Sequence, residues 1–260
     1  MRCRRASYVF PVLLLVTARN TAQDLTPEQK ARIEQLAKLQ KHFGKDMNSP
    51  GVELSLKETS RSRSGDRTLV TYSLYGMGLG SSATYTLIQV QLDGTMAKIM
   101  EGVTLNVKGE AICAGREGTC QGNAPNDPIN LVVYAGKGEP KRFGLVSEDE
   151  ARVKGFVAVV PFPNAKSDKG CRLESIIGSS NGELTYLQGS AFEPNAELTM
   201  DADSYGEKHH EQSKAQADGS YFSALMPYVA GKKSGKTTVG VKSKNCNPKL
   251  TFEWGTYHLE

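Results

Sequence analysis

Thr68-Leu69-Val70-Thr71-Tyr72-Ser73-Leu74-Tyr75 decides the fold class, because here the apolar pattern takes up a period of two. Val70, Tyr72 and Leu74 alternate with Leu69, Thr71, Ser73 and Tyr75, the pattern of a strand whose successive side chains face opposite ways. Residues 85–92 repeat it with β-branched and aromatic side chains and end in Asp93-Gly94, a hairpin signal. Further strands are expected at 99–107, 129–135, 143–146 and 156–162, separated by turn-rich loops such as Gly122-Asn123-Ala124-Pro125-Asn126-Asp127-Pro128. Short strands divided by turns, with no helical period among them, point to a β-sandwich and away from an α/β enzyme scaffold.

A second set of strands begins at Cys171, with candidates near 171–177, 183–189, 196–202, 206–214, 220–226, 236–242 and 249–258. Seven strands in roughly ninety residues suit an immunoglobulin-like sandwich. Between the two sets, the proline-rich and then polar stretch from Pro161 to Asp168 reads as a hinge. The expected fold is therefore all-β, with two tandem immunoglobulin-like β-sandwich domains at 67–167 and 168–260.

Within the second set, Gly189-Ser190-Ala191-Phe192-Glu193-Pro194-Asn195-Ala196-Glu197-Leu198-Thr199 resembles a motif of bacterial immunoglobulin-like modules of the IPT/TIG and related E-set kind. In those modules a Gly-x-x-Phe-x-Pro segment closes one strand and leads into the next. Ala217-Asp218-Gly219-Ser220-Tyr221-Phe222, followed by Pro227, is similar to the middle of such modules. The resemblance covers about residues 171–260 and implies a spacer, an adhesive unit or a ligand-binding accessory.

The chain opens with Arg2, Arg4 and Arg5, an apolar run from Tyr8 to Val16, and small or polar residues through Gln23, the layout of a secretory signal peptide over 1–22. The apolar run is shorter than the ~20 residues that span a bilayer, so cleavage after Ala18 or Ala22 is expected. A signal ending at Ala18 takes away three arginines and no acid, and the formal charge falls from +4 by three to +1. A nearly neutral mature chain argues against nucleic acid as a partner. Thr26-Pro27-Glu28-Gln29 starts a short amphipathic helix over 25–44, with Ile33, Leu36, Ala37, Gln40 and Phe43 at helical spacing and Gly44 as its C-cap. The polar stretch 45–66, centred on Ser60-Arg61-Ser62-Arg63-Ser64-Gly65, reads as a flexible linker.

Cys113, Cys120, Cys171 and Cys246 remain after the signal, an even number in a chain bound for an oxidising compartment. Cys113 and Cys120 enclose a short glycine-rich stretch, and Cys171 then pairs with Cys246 by elimination, although four cysteines allow three pairings. Zinc fails on spacing, since there is no Cys-x2-Cys pair and no histidine near either candidate pair.

No catalytic constellation emerges. Gly178-Ser179-Ser180-Asn181-Gly182 matches a nucleophile elbow in letters, but a strand rather than a helix follows it, so it reads as a hairpin turn. Gly76, Gly78 and Gly80 likewise run into a strand rather than a phosphate-binding helix. His209-His210, flanked by Glu207 and Glu211 with Asp201 and Asp203 nearby, is the one cluster with metal-ligand chemistry. In a strand the two imidazoles point to opposite faces, so they do not share one ion. Lys232, Lys233, Lys236, Lys242 and Lys244 gather in the last quarter and are the candidate polyanion-binding residues; solvent-facing lysines also simply guard sheet edges. Trp254 with Tyr257 is a candidate sugar-stacking platform or, more simply, core. No cofactor is expected. The reading is a non-catalytic exported interaction or spacer protein, periplasmic or extracellular, with a protein or glycan of the cell envelope as partner and no transmembrane segment in the mature chain. Alternatives are a carbohydrate- or polyanion-binding accessory module and a secreted hydrolase with an unrecognised site.

Overall fold

The computed structural model describes residues 47–92, 94–115, 120 and 124–255. The signal-peptide and helix segments, Asp93 and Tyr257 lie outside the described residues. The regular elements that are described are all antiparallel strands. They run β1 Glu53–Ser64, β2 Arg67–Met77, β3 Tyr85–Val90, β4 Met96–Leu105, β5 Ala111–Cys113, β6 Asn130–Gly136, β7 Lys141–Ser147 and β8 Lys154–Val159 in the first half. In the second half they are β9 Asn164–Asp168, β10 Cys171–Ile177, β11 Thr185–Ser190, β12 Glu197–Ser204, β13 Glu207–Lys214, β14 Tyr221–Leu225, β15 Gly235–Lys242 and β16 Lys249–Trp254.

These strands build two tandem immunoglobulin-like sandwiches. In the first, a three-stranded sheet β1-β2-β6 faces a five-stranded sheet β5-β4-β3-β7-β8. The alternation read at 68–75 sends Val70, Tyr72 and Leu74 into the core, where they meet Tyr85, Leu87, Val103 and Leu145 of the facing sheet. In the second, sheet β14-β11-β10-β9 faces β13-β12-β15-β16 over Leu173, Leu187, Leu198, Met200, Val239 and Val241. The Phe192 side chain plugs one end of this core, edge-on to Tyr221, with its backbone N–H donating to the Gly219 carbonyl. Gly219 has φ +75°, and a Cβ there would lie 2.3 Å from the Phe192 carbonyl oxygen, so this turn needs glycine. Disulfides join Cys113 to Cys120 and Cys171 to Cys246.

Two expectations are corrected. The segment read as a flexible linker at 45–66 is largely β1, paired with β2 from Glu53 to Ser64 across a tight Gly65-Asp66 turn. Its outer part buries nothing, so the sequence lacks the apolar alternation that marks a strand. Backbone pairing holds it instead, together with Arg61, whose Nη1 donates to the Pro161 carbonyl at 2.6 Å, and Arg63 over the Phe162 ring. The hinge at 161–168 is likewise partly strand. β9 pairs with β10, and buried Asn164 donates to Ser175 Oγ at 2.7 Å and to the Thr251 carbonyl at 3.3 Å.

The junction between the sandwiches is thus hydrogen-bonded on both sides. Gly138, in the turn between β6 and β7, donates to the Phe162 carbonyl at 2.7 Å and accepts from the Ile177 N–H at 2.8 Å.

Candidate functional site

On β11 and β14, Tyr186 pairs with Ala224 on the sheet face turned away from the core, because the alternate residues Leu187, Tyr221 and Leu225 fill the core. A tyrosine on such a face is normally half-exposed, yet Tyr186 is 2% exposed. Phe222 stacks on it at 5.6 Å, and Gly178 lies so close that a Cβ there would be 2.5 Å from the ring. Arg142 of β7 approaches from the first sandwich and is itself only 3% exposed. Burial lowers the Arg142 guanidinium pKa to about 10, partly offset by the Tyr186 phenol, and burial in turn raises the phenol.

Beside this buried pair opens a cleft of about 270 Å³ lined by Ser179, Asn181, Glu183, Leu184, Tyr186, Ala224, Met226 and Tyr228. Met226 and Tyr228 of its lining stand 44% and 51% exposed, so the cleft offers two large apolar side chains to solvent. The 178–184 turn that forms its polar side is held by its own hydrogen bonds. Ser179 Oγ donates to Asn181 Oδ1 and accepts from the Leu184 N–H, both at 2.9 Å. The Gly255 N–H donates to the Asn181 carbonyl at 2.6 Å, tying the turn to the end of β16.

This geometry excludes a nucleophile elbow. Ser179 is committed within the turn, Ser180 sits in the same turn, and β11 rather than a helix follows. Gly78, from the glycine-rich stretch, packs its α-carbon against the Gly51 carbonyl and leads toward β3.

His209 and His210 lie on edge strand β13. His210 Nδ1 is 2.8 Å from Asp201 Oδ1 on the outer face, whereas His209 pairs with buried Ala202 on the inward-facing side and lies 3.8 Å from Glu211. Among the described residues no three metal-ligating side chains converge.

The five lysines are not brought together. Lys232 and Lys233 lie in the loop between β14 and β15, Lys232 with its ammonium 5.2 Å from the centre of the Tyr205 ring. Lys236 pairs with Glu253 at 3.2 Å, and Lys242 and Lys244 lie at the opposite end of β15. Eight strand residues separate those ends by roughly 23 Å. Trp254 is fully buried and donates its indole N–H to Ser204 Oγ at 3.2 Å, so it is core and offers no stacking platform.

The sequence reading did not single out Tyr186, Met226 or Tyr228. The available signal was Met226-Pro227-Tyr228, large apolar side chains running on past a strand into a loop.

No family model matches the chain, and no curated protein matches it. Among solved structures it is similar to a tetra-tandem repeat from the extending region of a large adhesion protein, at 12% identity and TM-score 0.23, over 78% of this chain and 47% of that one. The chain thus spans about half the length of that structure. It is also similar to a two-domain fibronectin type III segment of chicken tenascin, at 13% identity and TM-score 0.22, over 78% and 98% of the two chains. A DUF3823 family protein from Bacteroides ovatus shows 10% identity and TM-score 0.21, over 78% and 97%. The fold assignment rests on the strand pairing and core described above.

Proposed function

We propose that this is a non-catalytic, exported interaction protein whose two sandwiches form a rigid spacer holding the Tyr228 cleft toward a protein partner of the cell envelope. The observation that carries this reading is the cleft itself. At about 270 Å³ it lies just below the ~300 to 1,000 Å³ of pockets that enclose small molecules, and it suits one or two side chains of a larger partner. Half-exposed Met226 and Tyr228 at its mouth are the kind of apolar anchors that dominate interface energetics. The bonded junction at Gly138 supports the spacer half of the reading, since it resists hinge motion between the sandwiches.

Two disulfides and the signal-like segment 1–22 support export. The Phe192 plug and the Gly219 turn support an IPT/TIG or related E-set affiliation for the second sandwich. Dispersal of the lysines weighs against a polyanion face. The test is capture from native envelope extract by the oxidised chain and by a Met226→Ser, Tyr228→Ser variant. Loss of a saturable partner in the variant supports the reading, and equal capture by both refutes it.

A further inference from the structure

β6 is the outer strand of the three-stranded sheet and is bonded to β2 along one side. Just before it, residues 127–129 are held by β5, through Cys113 N–H to the Asp127 carbonyl and Ile129 N–H to the Ala111 carbonyl. Among the described residues, the edge of β6 turned away from β2 is therefore free from the point where β6 starts. From Asn130 to Gly136 it reads Asn-Leu-Val-Val-Tyr-Ala-Gly, with no charge and no proline, and its register with β2 carries no bulge. Such an edge presents unpaired backbone N–H and C=O groups to any strand that can lie beside it.

The other sheet edges carry guards. β13 sets Glu207, His209 and Glu211 opposite buried residues of β12, on the inward-facing side of its sheet. β8 is covered by Asn48 and Ser49, which take hydrogen bonds from the Phe156 and Lys154 N–H groups. β1 carries Lys57, Glu58, Arg61 and Arg63, while β9 and β16 carry Lys166, Asp168, Lys249 and Glu253. β5 and β14 are only three and five residues long. Beside the unguarded edge, the outward face carries Val132, 64% exposed, and Tyr134, 43% exposed, with Leu69 directly across from Tyr134 on β2 and the Arg67 guanidinium 4.2 Å from the centre of the Tyr134 ring.

We infer that β6 is a self-association edge, to which a second copy of this chain adds its own β6 antiparallel about a two-fold axis at Val133. With no charge on the edge, a copy added about a two-fold axis meets no like charge across it. The chain's sequence is also self-complementary in this register. Val132 comes opposite the copy's Tyr134, a β-branched residue against an aromatic, and Leu131 comes opposite the copy's Ala135. The apolar row Leu69, Tyr134, Val132 then continues across the axis into its equivalent, giving one six-stranded sheet. An edge of seven residues covers well under the ~800 Å² per partner of a standard interface, so the expected dimer is weak and reversible.

Sedimentation velocity on the oxidised chain from ~1 to ~300 μM is expected to show a reversible monomer–dimer equilibrium. Val132→Lys with Tyr134→Lys is expected to weaken it at least tenfold with unchanged circular dichroism, since both side chains lie on the outward face, although loss of the Arg67 contact with Tyr134 lowers Tm slightly. Val132→Lys with Tyr134→Glu sets opposite charges across the axis twice and is expected to restore it. A wild-type chain that stays monomeric throughout overturns the inference, as does a double-lysine variant that dimerises equally well. A Lys/Glu variant no better than the double lysine overturns it too.

Discussion

The Tyr221 hydroxyl is buried in the second core, with the Ser213 and Ser223 hydroxyls beside it. Those neighbours offset the desolvation of the hydroxyl only in part, so Tyr221→Phe is expected to change stability by no more than about 1 kcal/mol in urea unfolding. Burial pushes the Tyr221 phenol up to about 12, against an ordinary value near 10. The folded state thus favours the neutral phenol. Its contribution is whole below pH 10 and is lost as pH rises from 10 through 12, by about 2 to 3 kcal/mol. Unfolding free energies of wild type and Tyr221→Phe, measured from pH 9 to 12, should diverge over that window. At this scale the sequence was partly legible. Phe192 and Gly219 stood out because their roles require an aromatic plug and a positive φ. Tyr186 did not, because alternation places it on the outward face of its sheet, where Phe222 and Gly178 cover it.

Among the elements, the two disulfides differ in what they constrain. Cys171–Cys246 closes 75 residues of sequence and Cys113–Cys120 only 7. On loop-closure entropy, removing the first costs about 4 kcal/mol and removing the second about 2. Double Cys→Ala variants compared by chemical denaturation measure that order. The strands of the second sandwich were readable from alternation because most have one face in the core, as in β12, where Leu198, Met200, Ala202 and Ser204 are buried in turn. β1 was not, because from Lys57 onward it shows no buried residue and its strand character comes from β2. β9 was obscured by the prolines at 161 and 163, which immediately precede it. The lysines looked like a cluster only because nearness in sequence was read as nearness in space; β15 spreads them.

For the molecule as a whole, the proposed spacer role rests on the junction at Gly138. Its φ is +78°, and a Cβ there would lie 2.9 Å from the Ser175 carbonyl oxygen across the junction. Gly138→Val should therefore part the sandwiches. Residual dipolar couplings of the wild type are expected to fit one alignment tensor for both sandwiches, and those of the variant two. A wild type that already needs two tensors would remove the spacer half of the proposal. The cleft was hidden from sequence because strand neighbours and a turn, distant from one another in sequence, together make it.

The most direct test of the central claim is the affinity of a captured envelope partner for three forms of the oxidised chain. These are the wild type, Met226→Ser with Tyr228→Ser, and the Lys232→Ala, Lys233→Ala, Lys236→Ala triple variant. The cleft variant is expected to lose at least about tenfold, the effect of removing one well-buried anchor, with the lysine variant unchanged. Undiminished binding by the cleft variant, above all with loss in the lysine variant, would contradict the account and place recognition elsewhere.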